Sequence, residues 1–364
     1  MACAPASASG AELRIAFGSC SEHDRPQPIW DAILASEPDL FFWVGDAVYG
    51  DTTDMALLRA KYAAQRAQPG YARLRARIPV FGTWDDHDYG ANVGNREYPK
   101  RAESQQAFLD FLDVDAADPR RAREGVYGAQ RLRAGALRVL LILLDVRYHR
   151  EPAGRSDAAM LGESQWRWLE ALLAAGDADL AIVATGTQVL PDEHLAEKWA
   201  DHPDEQQRLY RALGAAPMPL LLASGDRHFG ELSCDSWTPA RRPLYEITSS
   251  GLTRRSDPGR DPNRRRVGAP VAERNFGVIA VDGARASLRL ELRDAAGALR
   301  AERGLALGEL APRARAGRLW QWARRGGCGA AGDLPGAFAR LPAPLWLALL
   351  AAALALPLLL RRAR

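Results

Sequence analysis

The sequence contains little cysteine and little net charge, and each shortage excludes a class of protein. Its four cysteines are scattered over 364 residues without a CxxC pair, so neither a disulfide framework nor a structural zinc motif is indicated. The formal net charge is only +3, and the last four residues alone contain three arginines. The remainder of the chain is balanced (3 − 3 = 0), which indicates no nucleic-acid partner. No protein partner is indicated either.

The amino terminus lacks a recognisable export signal. Residues 1–10 are small and uncharged, without the basic start and long apolar core that such signals have. A mis-set start codon or a processed chain explains this as well as a chain that never carried a signal. We expect residues 1–11 to be disordered or to be the remnant of an export signal.

Apolar runs long enough to cross a membrane are absent, apart from one at the carboxyl terminus. Residues 345–360 are uncharged, and together with residues 341–344 they reach the ~20 residues that span a bilayer. We therefore expect a linker over residues 311–340, a transmembrane helix over residues 341–360 and a basic tail over residues 361–364. The alternative is a buried terminal helix, which would leave the basic flank unexplained.

The basic tail also predicts an orientation. Positive residues that flank a membrane span are retained in the cytoplasm, so Arg361, Arg362 and Arg364 would place the folded domain outside it, in the periplasm or on the cell surface. The membrane would then be a partner through the C-terminal helix. A tail anchor made without an export signal would instead leave the folded domain in the cytoplasm.

Apolar runs and helical patterns alternate along the first two thirds of the chain, which predicts an α/β fold. Strands are expected near residues 12–18, 39–45, 78–83, 137–144, 179–185 and 219–225, and helices near residues 54–68, 103–113, 163–175 and 193–213. From Leu244 onward, short strands separated by turn signals predict a second sheet. We expect one folded domain over residues 12–310.

Polar and reactive side chains follow five of these apolar runs, at the point where each run ends. They are Cys20; Asp46, Tyr49 and Asp51; Asp85, Asp86, His87 and Asp88; Asp145 and Arg147; and Asp226 and His228. Because α/β sheets present their ligand crevice beyond the carboxyl ends of strands, these side chains are expected to converge. Any one ending alone is more often a turn. The run from Asp85 to Asp88 differs, since three carboxylates around an imidazole repel one another unless a cation is present.

Together these motifs resemble the alkaline phosphatase D (PhoD-like) branch of the calcineurin-type metallophosphoesterases. The resemblance is carried by Phe17-Gly-Ser-Cys20, Gly45-Asp-x-x-Tyr49-x-Asp51, Trp84-Asp-Asp-His-Asp88, Leu144-Asp-x-Arg147 and Ser224-Gly-Asp-Arg-His228. It implies a two-sheet sandwich flanked by helices and the hydrolysis of phosphate monoesters or diesters. The broader superfamily usually opens with Asp-x-His and closes with Gly-His-x-His, so Cys20 and the last motif favour the PhoD-like branch. The superfamily often has another ligand histidine near Thr185–Gln188, where we assign none.

The expected ligands hold two or more metal ions. They are Cys20, Asp46, Tyr49, Asp86, Asp226 and His228. Asp46 is the candidate bridge, because one carboxylate must hold two cations about 4 Å apart. Thiolate and phenolate donors suit Fe³⁺ or another transition ion, whereas the carboxylate oxygens of Asp86 and Asp226 suit Ca²⁺ or another divalent ion.

The predicted reaction is attack of a metal-bound hydroxide on phosphorus, with His87 as the general acid. Asp88 would fix the tautomer of the imidazole. The alternative role for His87 is that of a third metal ligand. Asp51, Asp85 and Asp145 are expected to lie around the metal ligands and orient them without contacting the metal ions.

Two residues are candidates for holding the phosphate. Arg147 could clamp two phosphoryl oxygens with its planar guanidinium, or could form an ion pair with Asp145. Asn92 could donate to the phosphate or could be an ordinary turn residue. The basic segment 254–266 could overhang the site and attract an anionic substrate, or could be a solvated insertion.

Three rival functions remain open from the sequence alone, and one of them is a phosphotriesterase or phospholipid-directed activity, because a membrane anchor could hold the site near lipid headgroups. Two metal ions also hydrolyse carboxylic esters and amides, so a metallohydrolase for substrates without phosphate is a second alternative. A membrane-anchored binding module that keeps the pocket without catalysis is the third.

Overall fold

Two mixed sheets form the framework of this computed structural model, which describes residues 11–312 and Cys328. Its strands are β1 (Glu12–Gly18), β2 (Leu40–Val44), β3 (Val80–Thr83), β4 (Gly128–Ala134), β5 (Leu137–Leu143), β6 (Leu180–Thr185), β7 (Leu220–Ser224), β8 (Gly230–Asp235), β9 (Leu244–Ser249), β10 (Asn275–Asp282), β11 (Ser287–Asp294) and β12 (Leu299–Ala306). Its helices are α1 (Ile29–Ala35), α2 (Met55–Ala67), α3 (Pro69–Arg75), α4 (Asp86–Tyr89), α5 (Arg101–Phe111), α6 (Glu163–Ala175), α7 (Pro203–Ala215) and α8 (Leu307–Leu310). All these elements lie in the first of the two units into which the chain divides, residues 1–314.

The first sheet is parallel in one half and antiparallel in the other, and the second sheet has a parallel centre with an antiparallel strand at each edge. The first has the order β12-β11-β10-β1-β2-β3, and the second has the order β4-β5-β6-β7-β9-β8. Strands β1, β2 and β3 are mutually parallel, as are β5, β6, β7 and β9. The central strands β2 and β7 are buried along their whole length, as expected for parallel strands covered on both faces. The carboxyl ends of several parallel strands therefore lie at one edge of each sheet.

Each sheet packs with its own helices. Apolar residues of α1, α2, α3 and α5 join those of β2 in one core cluster, and residues of α6 and α7 join those of β5, β6 and β7 in another. Aromatic rings dominate the first cluster. The centre of the Trp43 ring lies 5.5 Å from the ring centres of both Trp30 and Tyr71, and the Trp43 indole N–H donates to the Tyr71 hydroxyl. Such ring pairs add about 0.5–1.5 kcal/mol beyond their buried area. This packing fixes the strands whose ends carry the site.

The predicted strands are all present, with bounds shifted by at most two residues. The helix expected over residues 193–213 begins only at Pro203. Proline is favoured in the first turn of a helix, because it has no N–H to donate and its ring obstructs the preceding turn. The residues before it run irregularly. Helices α1 and α3 and the edge strands β4, β8 and β12 were not predicted.

Two sheets with helices are consistent with the expected α/β metallophosphoesterase fold. The predicted transmembrane helix is not supported: the part of the chain that the structure describes contains no helix able to cross a membrane. The longest helices there, α2, α6 and α7, have 13 residues, or about 20 Å at 1.5 Å per residue. None is long and apolar enough to cross a membrane. Residues 341–360 lie outside the described residues. The membrane anchor and the localisation inferred from it are therefore withdrawn.

The domain boundaries stay predictions. Cys20 is a free, buried thiol.

Candidate active site

The strand-end residues come together at the carboxyl ends of the parallel strands. Cys20 and Asp46 follow β1 and β2, and Asp86 opens the short helix α4 after β3. Asp226 and His228 follow β7 in the other sheet. The Cys20 thiol lies 3.3 Å from Asp46 Oδ2, and the Tyr49 hydroxyl lies 3.1 Å from His228 Nε2. The site is thus built from both sheets.

A cluster of carboxylates forms the centre of the site. Ligand atoms of Asp46, Asp86 and His87 lie within 4.8 Å of one another, and so do those of Asp85, Asp86 and Asp226. Burial, followed by the charges of neighbouring carboxylates, raises the pKa of Asp46 well above its ordinary value. Burial likewise raises the pKa of Asp226 to about 6. Acids so close together repel when ionised.

Three oxygens in this cluster have no hydrogen-bond partner among the described residues, and an Arg147 nitrogen lies 3.8 Å from one of them, Asp86 Oδ1. Asp46 Oδ1, Asp85 Oδ2 and Asp86 Oδ1 are buried and accept no hydrogen bond. A buried carboxylate oxygen without a partner costs more than one kcal/mol, so native proteins rarely leave several side by side. Cations bound between them would satisfy the oxygens and cancel the repulsion. The donor set therefore fits metal ions.

A thiol, a phenol and an imidazole line the Cys20 side of the site. Cys20 Sγ lies 3.0 Å from the Ser250 hydroxyl, which in turn accepts the backbone N–H of His228. Burial, then the Asp46 charge, raises the pKa of the Cys20 thiol, and burial also raises that of the Tyr49 phenol. Neither group becomes an anion easily without a cation nearby. Both are ordinary ligands once a metal ion supplies that charge.

The backbone is strained at the same positions. Ten non-glycine residues among those described have positive φ angles, and five are predicted site residues: Cys20 (60°), Asp46 (48°), Asp51 (44°), Asp226 (70°) and His228 (61°). Each such conformation costs about 1–3 kcal/mol and persists where surrounding contacts impose it. Gly45, at φ 97°, has no room for a side chain, because an added Cβ would lie 2.3 Å from Asp85 Cβ. The chain is thus bent tightly to aim these side chains inward.

His87 is oriented by Asp51 and not by Asp88. Its Nδ1 lies 2.8 Å and 2.9 Å from the two carboxylate oxygens of Asp51. Burial opposes protonation of the imidazole, but the hydrogen bond with Asp51 and the charge of Asp86 outweigh it and raise the pKa of His87. His87 is accordingly a group that holds a proton more firmly than a free histidine.

Asp88 has a different task from the one predicted. Its two oxygens accept the backbone N–H groups of Ala47 and Val48, each at 3.1 Å. It therefore fixes the turn that carries Asp46. Burial raises the pKa of Asp88 to about 7, against the opposing effect of these N–H donors.

Arg147 does not form the open phosphate clamp that was predicted. Its side chain is 0% exposed, and its nitrogens pair with Asp85 at 2.5 Å and with Glu197 at 2.8 Å. The alternative pairing with the Asp145 carboxylate is also absent among the described contacts: Asp145 instead accepts backbone N–H groups, including that of Arg147. Arg147 thus braces Asp85, and Asp145 holds the turn of Arg147.

Asn92 lies on the exposed turn after α4. The neighbouring Val93 backbone N–H, at 2.8 Å, is the donor to Asp86 Oδ2. This turn therefore orients Asp86 through its backbone. A role for the Asn92 side chain stays a prediction.

Three residues of the site were not assigned a role in it from the sequence. Ser250 follows β9, so the strand-end rule could have found it. Glu197 bridges Arg147 and Arg150 from a distant loop, and Arg254 lies with its guanidinium carbon 4.4 Å from the centre of the Tyr49 ring. No local pattern marks Glu197, and the sequence marked Arg254 only as part of the basic segment 254–266. The nearby Gln188 donates to Glu231 and Thr248.

The basic segment 254–266 is mostly neutralised, so it is not the free positive loop that was considered. Arg264 and Arg265 pair with Asp192, and Arg266 pairs with Glu231. These ion pairs tie the segment to the loop after β6 and to β8. Its beginning lies against predicted site residues, with Arg254 beside the Tyr49 ring and the Ser256 backbone N–H donating to the His228 carbonyl.

The family model of PhoD-like phosphatases matches residues 15–276. No curated protein matches the chain in sequence. Among solved structures, that of PhoD superposes with a TM-score of 0.68 at 16% identity, covering 85% of this chain and 72% of that chain.

Two further structures share the fold. Purple acid phosphatase PPD1 from yellow lupin (Lupinus luteus) seeds has a TM-score of 0.56 at 12% identity, with coverage of 83% of this chain and 55% of that one. A dimetal phosphatase from Danio rerio has a TM-score of 0.51 at 12% identity, with coverage of 81% and 99%. At such identities these structures establish the fold alone.

Proposed function

The chain belongs to the PhoD-like phosphatase family and is a metal-dependent phosphoric ester hydrolase; from this premise we propose that it hydrolyses phosphate monoesters or diesters at the strand-end site. The observation that carries the proposal is the set of buried carboxylate oxygens on Asp46, Asp85 and Asp86 that accept no hydrogen bond among the described residues. Hydrolysis of a phosphate ester needs positive charge fixed where negative charge develops on the phosphoryl oxygens. A site that gathers such carboxylates is built to hold that charge as cations.

The residues that would hold two or more metal ions are Cys20, Asp46, Tyr49, Asp86, Asp226 and His228. Asp46 lies between the Cys20 thiol and the Asp86 carboxylate, a position suited to sharing two ions. The thiol and phenol favour Fe³⁺, and the carboxylates of Asp86 and Asp226 favour Ca²⁺ or another divalent ion. When bound, such ions would supply Lewis-acid charge and activate water.

His87 would donate the proton that the leaving alkoxide needs. Asp51 holds Nδ1, which leaves Nε2 as the atom that can deliver a proton. The raised pKa of His87 keeps this proton available near neutral pH. The proximity of a His87 nitrogen to Asp46 and Asp86 supports the ligand role as an alternative, and the variants described in the Discussion separate the two.

The test combines elemental analysis with substrate comparison. Protein purified without added metal is expected to carry at least two metal ions per chain, and bound Fe³⁺ should give a visible absorption band from thiolate or phenolate. It should hydrolyse a phosphate monoester or diester and leave a carboxylic ester and an amide intact. Activity confined to the carboxylic ester or amide, or full activity in metal-free protein, would reject the proposal.

A further inference from the structure

Two side chains that carry or can take up a positive charge, those of His87 and Arg254, lie close to the ring of Tyr49. The His87 ring centre lies 4.1 Å from the Tyr49 ring centre, and the Arg254 guanidinium carbon lies 4.4 Å from it. Tyr49 also reaches His228 through its hydroxyl. His87 and Arg254 therefore both lie against Tyr49, which is one of the predicted ligands.

The segment that carries Arg254 is fixed against two loops of the site. The backbone N–H groups of Leu252 and Thr253 donate to the carbonyls of Ser19 and Cys20, at 3.1 Å and 3.2 Å. Ser256 donates its backbone N–H to the His228 carbonyl at 2.9 Å. Arg254 is therefore held between the Cys20 loop and the His228 loop. A guanidinium positioned in this way loses less conformational entropy when it binds an anion than a free surface arginine does.

Arg254 is also the least neutralised arginine of the three nearest the site. Arg147 is 0% exposed and pairs with Asp85 and Glu197, with Asp86 a further 3.8 Å neighbour. Arg227 is 9% exposed and pairs with Asp226 and Asp261. Arg254 is 37% exposed, and its one described carboxylate neighbour, Glu22, is 3.9 Å away. At that distance the pair is a weak, partly solvated one.

We propose that Arg254 binds the phosphoryl oxygens of the substrate and of the phosphate product, the task that the sequence suggested for Arg147. The inference rests on the proposed phosphoester hydrolysis. A guanidinium can present two N–H donors to two phosphoryl oxygens at once. Arg254 is partly exposed and has no carboxylate closer than Glu22 at 3.9 Å among the described residues, so it can turn N–H donors toward a phosphoryl group beside Tyr49. The donors of Arg147 are instead directed at Asp85 and Glu197.

Arg255 offers a matched control. It is the adjacent residue, carries the same charge and is exposed, and its Nε donates to the Ala272 carbonyl at 3.2 Å. Arg254→Gln and Arg255→Gln therefore remove the same charge from the same loop. General electrostatic attraction would change similarly in both variants, but direct binding would change in one.

The experiment measures metal content, kcat/KM for a phosphate ester and the inhibition constant of inorganic phosphate in the metal-loaded protein. Arg254→Gln should keep its metal, lower kcat/KM roughly 10–100-fold and weaken phosphate inhibition at least about 10-fold, as expected for a lost charge-assisted hydrogen bond. Arg255→Gln should stay within about twofold of the wild type, as surface substitutions do. Arg254→Lys, which keeps the charge without the planar fork, should lie between the two.

Two outcomes overturn the inference. Equal behaviour of the two glutamine variants would mean that Arg254 contributes only to the general field. Loss of metal together with activity in Arg254→Gln would mean that it supports Tyr49 and does not bind substrate. Failure of the proposed function looks different, because then the metal-loaded wild type itself would hydrolyse no phosphate ester.

Discussion

Buried acidic side chains occur in two parts of the molecule and are treated in opposite ways. Beside the second sheet, Glu246 accepts the backbone N–H groups of Val189 and Leu190 at 2.9 Å and 2.7 Å. Glu231 accepts from Gln188 and Asn263 and pairs with Arg266. At the strand ends, one oxygen each of Asp46, Asp85 and Asp86 has no described hydrogen-bond partner. Acids that hold the fold are fully hydrogen-bonded, and acids of the site are left open for a ligand.

The largest effect is expected from Asp46→Asn. A neutral amide is a much poorer ligand and cannot bridge two cations, so metal content and activity should fall together. The loss of activity should exceed the roughly 10²–10⁴-fold expected for a missing general acid. Elemental analysis and turnover of a phosphate ester measure both. An active Asp46→Asn variant with normal metal content would contradict the assignment of these oxygens.

Asp46→Asn also tests, in metal-free protein, whether Asp46 differs from the acids that hold the fold. Burial and neighbouring carboxylates raise the pKa of Asp46, so its charge opposes folding when no cation is present. Asp46→Asn should therefore leave the free energy of unfolding of the metal-free protein unchanged or increase it. Chemical denaturation after chelation provides the measurement, and a clear loss of stability would place Asp46 with the structural acids.

His87→Asn should affect catalysis without emptying the site. We expect metal content close to that of the wild type and a loss of turnover of about 10²–10⁴-fold. A nitrophenyl ester should partly recover its rate, because nitrophenolate leaves without a proton. If the variant instead loses metal as completely as Asp46→Asn, then His87 is a ligand and the proton must come from elsewhere.

Glu246→Ala tests the structural side of the comparison. The change leaves two buried N–H groups unpaired, which should lower the free energy of unfolding by about 2–4 kcal/mol. Urea denaturation at constant metal content measures this. Glu302→Ala is the control, since Glu302 is an exposed acid on β12 and its loss should change stability by less than about 0.5 kcal/mol.

The smallest effect is a pH dependence. Burial raises the pKa of Glu246 from 4.5 to about 7. The unfolded chain releases this proton first, so the stability that Glu246 contributes is complete below about pH 4.5 and is lost as the pH rises through about 7. Glu246→Gln should remove this decline, which is on the order of a few kcal/mol at most. A stability difference between the two proteins that does not vary over this range would contradict the shift.

The sequence predicted the strands and the ends that carry Cys20, Asp46 and Asp226, because a buried run and the polar residue after it are neighbours in the chain. It did not predict which side chains or backbone groups these residues contact. Asp88 and Arg147 are adjacent to site residues in sequence, yet their side chains turn toward Ala47 and Glu197. Arg254 reaches Tyr49 across some 200 positions, and only the packing of the two sheets brings them together.

Because the site is divided between two sheets, both sheets must be synthesised and must pack together before the site is complete. Cys20, Asp46 and Asp86 follow strands of the first sheet, and Asp226 and His228 follow a strand of the second. During synthesis the ribosome must release more than 228 residues before the last of these donors can join the others. The complete set of donors thus exists only after the two halves have docked. If the proposed ligands hold metal ions, then loading would follow docking, and the bound ions would link residues of the two sheets.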